Sequence, residues 1–331
     1  MTDDQKLKPN TQVRALWYVA PGKAELRSAT LSDRTEGSVL VRTLYSGISR
    51  GTERLVFEGR VPEAEWSRMK APAQEGEFPF PVKYGYAAVG TVEDGPAALK
   101  GRNVFALYPH QDRFVLPAEK VVAIPDSVPA RRATLAANME TALNILWDGS
   151  AQAADRIVVI GGGILGLLVT SLACRLPGAS VTLVDVDPER EKVAKKLGAA
   201  FALPGEAPGD ADLVIHTSAT ADGLTLALKL AGIEATVVEA SWFGSGAVSV
   251  PLGDSFHSRR LKLVSSQVGH VCPTRARRWS TGRRLEAAIN LLADDRLDAL
   301  LGEEVPFAEL PQQLPRLLAR TASGFGALVR Y

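Results

Sequence analysis

Cysteine is scarce in this chain. Only Cys174 and Cys272 occur among its 331 residues. Two thiols cannot supply a disulfide framework or a four-thiolate zinc site. Such low cysteine use is typical of a reducing compartment, and we expect a cytoplasmic protein.

Long hydrophobic runs are also missing. The longest apolar stretch, IVVIGGGILGLLV (157–169), holds three adjacent glycines and is shorter than the roughly 18 apolar residues that a membrane helix needs. The first ten residues, MTDDQKLKPN, lack the apolar core of a signal peptide. We therefore expect no membrane partner.

The chain has almost no net charge. Its formal value is +1, with 46% hydrophobic and 23% charged residues, which is ordinary for a soluble globular protein of two domains. We expect no nucleic-acid partner and a small-molecule substrate. One basic run, TRARRWSTGRR (274–284), stands out. We interpret it as the solvated start of a helix, although an anionic substrate or a nucleic acid could also contact it.

Secondary-structure patterns divide the chain into two parts. Short Val-, Leu- and aromatic-rich runs broken by Gly, Pro and Asp predict a β-rich domain over residues 1–130, a barrel or a sandwich. Strand-like and helix-like segments then alternate over 131–270, which predicts a parallel sheet covered by helices. We expect 271–331, which ends in the strand-like GALVRY, to complete the first domain.

A glycine-rich turn is the most specific motif. Gly161, Gly163 and Gly166 form G-x-G-x-x-G, with Ile164 and Leu165 between the last two, after the strand-like RIVVIG and before a helical pattern. Such a turn lets a pyrophosphate approach the backbone at a helix N-terminus. We predict a dinucleotide site at these five residues.

Asp185 follows the next predicted strand, where a carboxylate accepts hydrogen bonds from the adenosine ribose. A carboxylate there would repel a 2′-phosphate, so we predict NAD and regard NADP as the less favoured cofactor. Arg190 either lies along the adenosine or is a solvated helix residue.

Three segments resemble the medium-chain dehydrogenase/reductase superfamily: LYSGISRGTE, PVKYGYAAVGTVEDG and the glycine-rich stretch from VVIGGG to KKLGA. SGISRGTE and GYAAVG further resemble the branch of bacteriochlorophyllide hydroxyethyl dehydrogenases, which oxidise a secondary alcohol. The resemblance implies an α/β protein, with a GroES-like β-barrel domain plus a Rossmann doubly wound parallel sheet, that forms a homodimer.

The zinc ligands of that superfamily are not retained. Ser49 stands where zinc-dependent members have Cys, Tyr86 where they have His, and Ala87 replaces an acidic residue. Neither Ala137 nor Asn138, near the third ligand position, can bind zinc. Because a catalytic zinc needs about three such ligands, we predict no zinc. Other residues could form a different metal site, but the sequence shows no ligand spacing for one, so we assign no metal ligands.

Candidate catalytic residues occupy the matched positions. Tyr86 and Ser49 could hydrogen-bond a substrate oxygen, Glu53 could act as an acid or base, and Arg50 could hold an anion. Each could instead be a satisfied polar side chain of a loop. His110 is the histidine that we would test first, although a lone histidine is more often structural.

Further cofactor contacts are expected on the helix before the glycine turn and after later strands. They are Thr141, Thr217, Ser218, Ser241 and Ser265. Glu140 lies in an apolar helical pattern and needs a partner, for which we consider Arg50 or an arginine of SRRL; it is either a structural ion pair or an active-site acid.

These observations favour a zinc-independent oxidoreductase that transfers a hydride between NAD(H) and a secondary alcohol or its ketone. Two alternatives stay open. One is an NADPH-dependent quinone or enone reductase, and the other is a nucleotide-binding protein without catalysis.

Overall fold

The structure is a computed structural model, and it describes residues 11–322 and 324–331. The chain forms two compact units. The first runs to Thr134 and resumes over Glu303–Tyr331, and the second is Leu135–Gly302. The first ten residues, which we predicted to belong to the first domain and not to be a signal peptide, lie outside the described residues.

The first unit is built mainly of antiparallel strands. Its strands are β1 Gln12–Ala20, β2 Lys23–Thr30, β3 Ser38–Gly47, β4 Glu75–Gly76, β5 Val82–Lys83, β6 Ala88–Asp94, β7 Asn103–Ala106, β8 Arg113–Pro117, β9 Val121–Ala123, β16 Glu304–Pro306 and β17 Leu328–Arg330. Its helices are α1 Arg50–Phe57, α2 Ala130–Ala133 and α9 Leu310–Leu317. One sheet has the order β2-β1-β5-β4, and the other has the order β16-β17-β3-β6-β7-β9 with β8 also paired to β3.

The core of this unit lies under the second sheet. Buried valines of β3, β6 and β7 pack there, and the rings of Tyr108 and Phe114 stack with centroids 4.0 Å apart. The strand predicted in GALVRY is β17, and it pairs with β3. The last strand of the chain therefore completes a sheet that begins some 280 residues earlier.

The second unit alternates strands and helices. Its strands are β10 Arg156–Ile160, β11 Ser180–Val184, β12 Ala200–Ala202, β13 Ala211–His216, β14 Ala231–Glu239 and β15 Lys262–Ser265. Its helices are α3 Ala136–Asp148, α4 Ile164–Ala173, α5 Arg190–Leu197, α6 Ala221–Leu230, α7 Ser255–Ser258 and α8 Thr281–Leu291.

The six strands of this unit form one parallel sheet in the order β12-β11-β10-β13-β14-β15. Its central strands are mostly apolar and buried, as Ile157–Ile160 of β10 and Leu213–Ile215 of β13 show, because helices cover both faces of the sheet. The order reverses between β10 and β13, and ligands of such sheets bind at that point, beyond the carboxyl ends of the strands. The predicted α/β class, a β-rich domain plus a doubly wound parallel sheet, is confirmed.

One domain boundary differs from the prediction. We expected residues 271–331 to complete the first unit, but only Glu303–Tyr331 does so. Helix α8 packs on α3 instead, because Leu285, Ala288 and Ile289 on one of its faces are buried. Among the described residues no helix has the length and apolar character to span a membrane.

Candidate functional site

The glycine turn lies between β10 and α4 with little spare room on one side. Gly161 has φ +109°, which favours glycine. A Cβ on Gly166 would lie 1.8 Å from the carbonyl oxygen of Gly161, so only glycine fits. A Cβ on Gly163 would meet nothing within 4 Å. The turn is thus packed on its inner side and open at Gly163, where α4 begins with Ile164 and Leu165. The amide groups of this first turn have no partner within the helix.

Asp185 follows β11, directly beside this turn. Its Oδ2 accepts a hydrogen bond from the amide of Gly162 (2.5 Å) and its Oδ1 one from the amide of Asp187 (2.8 Å). Arg190 is mostly buried, with 15% of its side chain exposed, and pairs with Asp187 at 3.2 Å. Of the two interpretations of Arg190, the solvated helix residue is therefore wrong.

Polar side chains meet where β13 and β14 end. Nδ1 of His216 lies 2.6 Å from Oε2 of Glu239, and Nε2 lies 2.7 Å from Oγ of Ser218. Oγ of Ser241 accepts from the amide of Ala219 at 3.0 Å. The fully buried His216, which we did not predict, therefore fixes the loop that carries Ser218.

The other predicted cofactor contacts are more dispersed within this unit. Thr217 lies next to the glycine turn, where its hydroxyl donates to the carbonyl groups of Ile160 (3.1 Å) and Gly161 (3.0 Å). Ser265 is exposed at the end of β15. The hydroxyl of Thr141 donates to the carbonyl of Ala137 inside α3 (2.9 Å).

In the first unit Glu53 is the centre of a buried polar cluster. It is completely buried on α1. Its Oε1 accepts from the amide of Ser49 (2.7 Å), and its Oε2 accepts from the hydroxyl of Tyr18 (2.7 Å) and lies 3.0 Å from Nε2 of His110. Burial, and then the charge of Glu53, raise the pKa of Tyr18 well above its usual value. Tyr18 is thus held as a hydrogen-bond donor to the carboxylate.

His110 continues this cluster toward the last residue of the chain. Its Nδ1 lies 2.7 Å from Oγ of Ser46, and that oxygen lies 2.9 Å from the hydroxyl of Tyr331. Both ring nitrogens of His110 therefore have partners. The sequence singled out His110 but gave no sign of these partners, which come from a different strand and from the chain's end.

Tyr86 and Ser49, which the resemblance assigns to zinc-ligand positions, lie near each other. The side chains of Ser49 and Thr52 lie near the Tyr86 phenol and affect its pKa. Burial raises the pKa of Tyr86, and the neighbouring side chains of Ser49 and Thr52 lower it in part. Tyr86 is accordingly a protonated donor near neutral pH.

The contacts of Arg50 differ from the predicted anion binding. Its guanidinium donates to the carbonyl groups of Ala322 (3.1 Å), Gly324 (3.3 Å) and Phe325 (2.9 Å). These donors hold the segment before β17, so Arg50 has a structural role and is not directed at a substrate anion.

Glu140 likewise has a structural partner. It pairs at 3.0 Å with Arg284 of α8, which is 1% exposed. The partners that we considered, Arg50 and the arginines of SRRL, are wrong. Burial raises the pKa of Glu140, and the Arg284 guanidinium lowers it in part.

Metal ligands do not cluster in the part of the chain that the structure describes. No group of three or more His, Cys, Asp or Glu side chains there could hold a metal ion. Ser49 and Tyr86, at the positions that the resemblance assigns to zinc ligands, carry hydroxyl groups.

Comparison with known proteins gives relatives over most of the chain. D-guloside 3-dehydrogenase of Escherichia coli K12 is 26% identical over 308 residues, which cover 83% of this chain and 87% of that protein. 2-Desacetyl-2-hydroxyethyl bacteriochlorophyllide A dehydrogenase of Cereibacter sphaeroides is 27% identical over 198 residues, 53% of this chain and 57% of that protein. No protein-family model matches.

Solved structures share the fold. A protein of Sinorhizobium meliloti 1021 described as a zinc-binding dehydrogenase, bound to NADP, superposes with a TM-score of 0.77 at 18% identity. It covers 97% of this chain and 100% of its own. A short chain alcohol dehydrogenase of Escherichia coli CFT073, complexed with NADH, gives a TM-score of 0.76 at 16% identity, with 97% and 99% covered.

A parallel sheet with a glycine turn at its switch point is the arrangement of dinucleotide-binding folds. The fold and the relatives make the chain similar to the zinc-type alcohol dehydrogenase-like proteins of the medium-chain dehydrogenase/reductase superfamily. The resemblance inferred from the sequence is thereby confirmed, including similarity to the bacteriochlorophyllide dehydrogenase branch.

Proposed function

We propose that this chain transfers a hydride between NAD(H) and a secondary alcohol or its ketone without a zinc ion. The observation that carries the proposal is the hydroxyl group of Tyr86, which lies near Ser49 and Thr52 at a position that the resemblance assigns to a zinc ligand. A protonated phenol can donate a hydrogen bond to a substrate oxygen, which is the polarisation that zinc would supply.

The glycine turn fits a dinucleotide. The open side of the turn at Gly163 leaves room for a pyrophosphate against the first amide groups of α4. Asp185 lies beside the turn. We propose that it accepts hydrogen bonds from ribose hydroxyl groups and that its negative charge disfavours a 2′-phosphate. When bound, the nicotinamide supplies the hydride chemistry. Solved structures of this fold contain NADP in one case and NADH in the other, so the fold alone does not decide between the two cofactors. The proposed preference for NAD therefore rests on Asp185.

Glu53 stabilises the residues around the Tyr86 hydroxyl group. It fixes the backbone of Ser49 and one side of His110. From His110 the hydrogen-bonded chain continues through Ser46 to Tyr331. We assign Glu53 and His110 as positioning residues that keep Ser49, and through it Tyr86, in place.

The relatives suggest where to look for the substrate. One of them is a D-guloside 3-dehydrogenase that matches over most of its length, so we propose a secondary hydroxyl of a glycoside or polyol as the first class to test. We also propose that the protein works as a cytoplasmic homodimer with a small-molecule substrate and without nucleic acid.

The first test is a titration of metal-analysed protein with NADH and NADPH, followed by cofactor fluorescence. We expect tighter binding of NADH and no stoichiometric zinc. In Asp185→Asn the difference between the two nucleotides should narrow, because the repelling charge is lost. A preference for NADPH with reduction of enones would favour the reductase alternative, and binding of neither nucleotide would leave the oxidoreductase assignment without a cofactor.

The second test is turnover of glycosides and secondary alcohols. Tyr86→Phe should lower kcat by roughly 100-fold, the effect of removing one such donor. Tyr84→Phe is the matched control, because Tyr84 is a buried neighbour whose ring contacts Tyr86 edge to face at 6.1 Å. Equal losses in the two variants, or activity that disappears on chelation and returns with zinc, would contradict the proposal.

A further inference from the structure

An open pocket in the second unit is lined by residues other than those of the glycine turn. Its volume is about 490 Å³, and it is formed by the end of α3 and the segment that leads into α8. Trp147 and Trp279 form one wall, with ring centroids 4.9 Å apart and planes inclined by 59°. Leu146 and Ala151 add apolar surface. Ligand pockets are commonly about 300–1,000 Å³ in volume, so this one is large enough for a small molecule.

Three arginines surround these rings. The guanidinium of Arg275 lies 5.4 Å from the centroid of Trp147, and that of Arg283 lies 4.0 Å from the centroid of Trp279. Arg283 also donates to the backbone carbonyl of Arg278 (2.7 Å). Arg278 completes the lining. Cation–π contacts of this kind hold a guanidinium in a defined position while its outer N–H groups stay available.

The positive charge of the pocket is not compensated. No acidic residue lines it, and across residues 11–322 and 324–331 neither Arg275, Arg278 nor Arg283 takes part in an ion pair. Exposed arginines elsewhere, such as Arg68 and Arg316, do pair with glutamates. Three like charges close together repel one another, and the N-terminus of the 11-residue α8 adds a partial positive charge.

An anion with several charged oxygens relieves this repulsion, because guanidinium groups bind phosphate in a bidentate manner. The two tryptophans and Leu146 provide a surface for a planar ring. We propose that this pocket binds a phosphorylated compound that carries an aromatic base, a nucleotide in chemical terms, at a site separate from the glycine turn. The phosphate groups lie against the three arginines and the base against the tryptophan wall.

The test is a titration of the whole chain with inorganic tripolyphosphate, with ADP and with adenosine, followed by tryptophan fluorescence. We expect saturable binding of both phosphate compounds, tighter binding of ADP than of tripolyphosphate, and weak binding of adenosine. Arg278→Gln and Arg283→Gln should each weaken tripolyphosphate binding by about tenfold, the fold-change of one charge-assisted hydrogen bond. Arg277→Gln is the matched control, because Arg277 is an exposed neighbour that does not line the pocket.

Tripolyphosphate is the deciding probe, because adenine nucleotides could also enter the glycine turn. The comparison between Arg278→Gln and Arg277→Gln does not depend on NADH binding, so failure here is separate from failure of the proposed function. Equal weakening in these two variants, or no saturation, would overturn the proposal. If single-stranded RNA bound more tightly than the phosphate compounds, and the same variants lost that binding, the site would be a nucleic-acid surface and not a nucleotide pocket.

Discussion

The buried ion pair between Arg284 and Glu140 gives a prediction whose size follows from its contacts. Arg284 donates to Oε1 of Glu140 (3.0 Å), to Oδ1 of Asn144 (2.6 Å) and to the carbonyl groups of Val268 and, at 3.1 Å, His270. Arg284→Met retains the length of the side chain but leaves a buried carboxylate without its cation. Breaking a buried pair in this way costs about 3–5 kcal/mol of unfolding free energy, a large part of a typical total of about 5–15 kcal/mol.

Denaturant unfolding followed by circular dichroism measures this cost. Arg283→Met is the matched control, because Arg283 is the exposed neighbour, and we expect a change of no more than about 1 kcal/mol. The double variant Glu140→Leu with Arg284→Met should recover most of the loss, since apolar replacement of a whole buried pair is often neutral or stabilising.

The loss in Arg284→Met should also depend on pH. Burial already raises the pKa of Glu140, and removal of Arg284 takes away the opposing effect. A raised carboxyl pKa in the folded state means that stability is retained at low pH and lost as the pH rises through that pKa. The destabilisation should therefore be smaller in acid than at neutral pH. A loss under about 1 kcal/mol, or a double variant as unstable as Arg284→Met alone, would refute the reasoning.

Three further predictions concern other parts of the chain. Gly166→Ala places a Cβ 1.8 Å from the Gly161 carbonyl oxygen, so we expect a stability loss of about 1–3 kcal/mol or more and at least tenfold weaker NADH binding; wild-type affinity by fluorescence titration would contradict this. The pKa of Tyr18 is raised, so its stability contribution is present below about pH 10 and lost as the pH rises through the folded pKa; its tyrosinate absorbance should appear only as the protein unfolds. The hydrogen bond from Arg296 lowers the pKa of Asp294, so Asp294→Asn should unfold at lower denaturant concentration at neutral pH, with the difference from wild type closing below about pH 4; a constant difference would argue against this linkage.

Local patterns predicted the parts of the fold that depend on neighbours in sequence. The run RIVVIG, the three glycines and the following helix have a structure dictated within about ten residues, and the structure shows β10, the turn and α4 there. Asp185 was also predictable, because strand and helix lengths in such a unit vary little.

Partners distant in sequence could not be predicted in this way. The contact between Glu140 and Arg284 joins residues 144 positions apart, and that between Ser46 and Tyr331 joins residues 285 apart. Nothing in the composition around Glu140 distinguishes Arg284 from Arg50 as its partner. The boundary of the second unit was misplaced for the same reason, because α8 belongs with α3 through such contacts.

The return of the chain through β16 and β17 has a consequence for folding. The second unit is continuous in sequence, so its local strand–helix contacts can form as soon as it has been synthesised. The edge of β3 cannot pair with β17 until the end of the chain is synthesised, since the whole second unit lies between the two strands in sequence. We expect refolding in two phases, with the parallel sheet protected early from hydrogen exchange. The edge of β3 would be protected last, and until then it would be the part of the molecule most open to pairing with other chains.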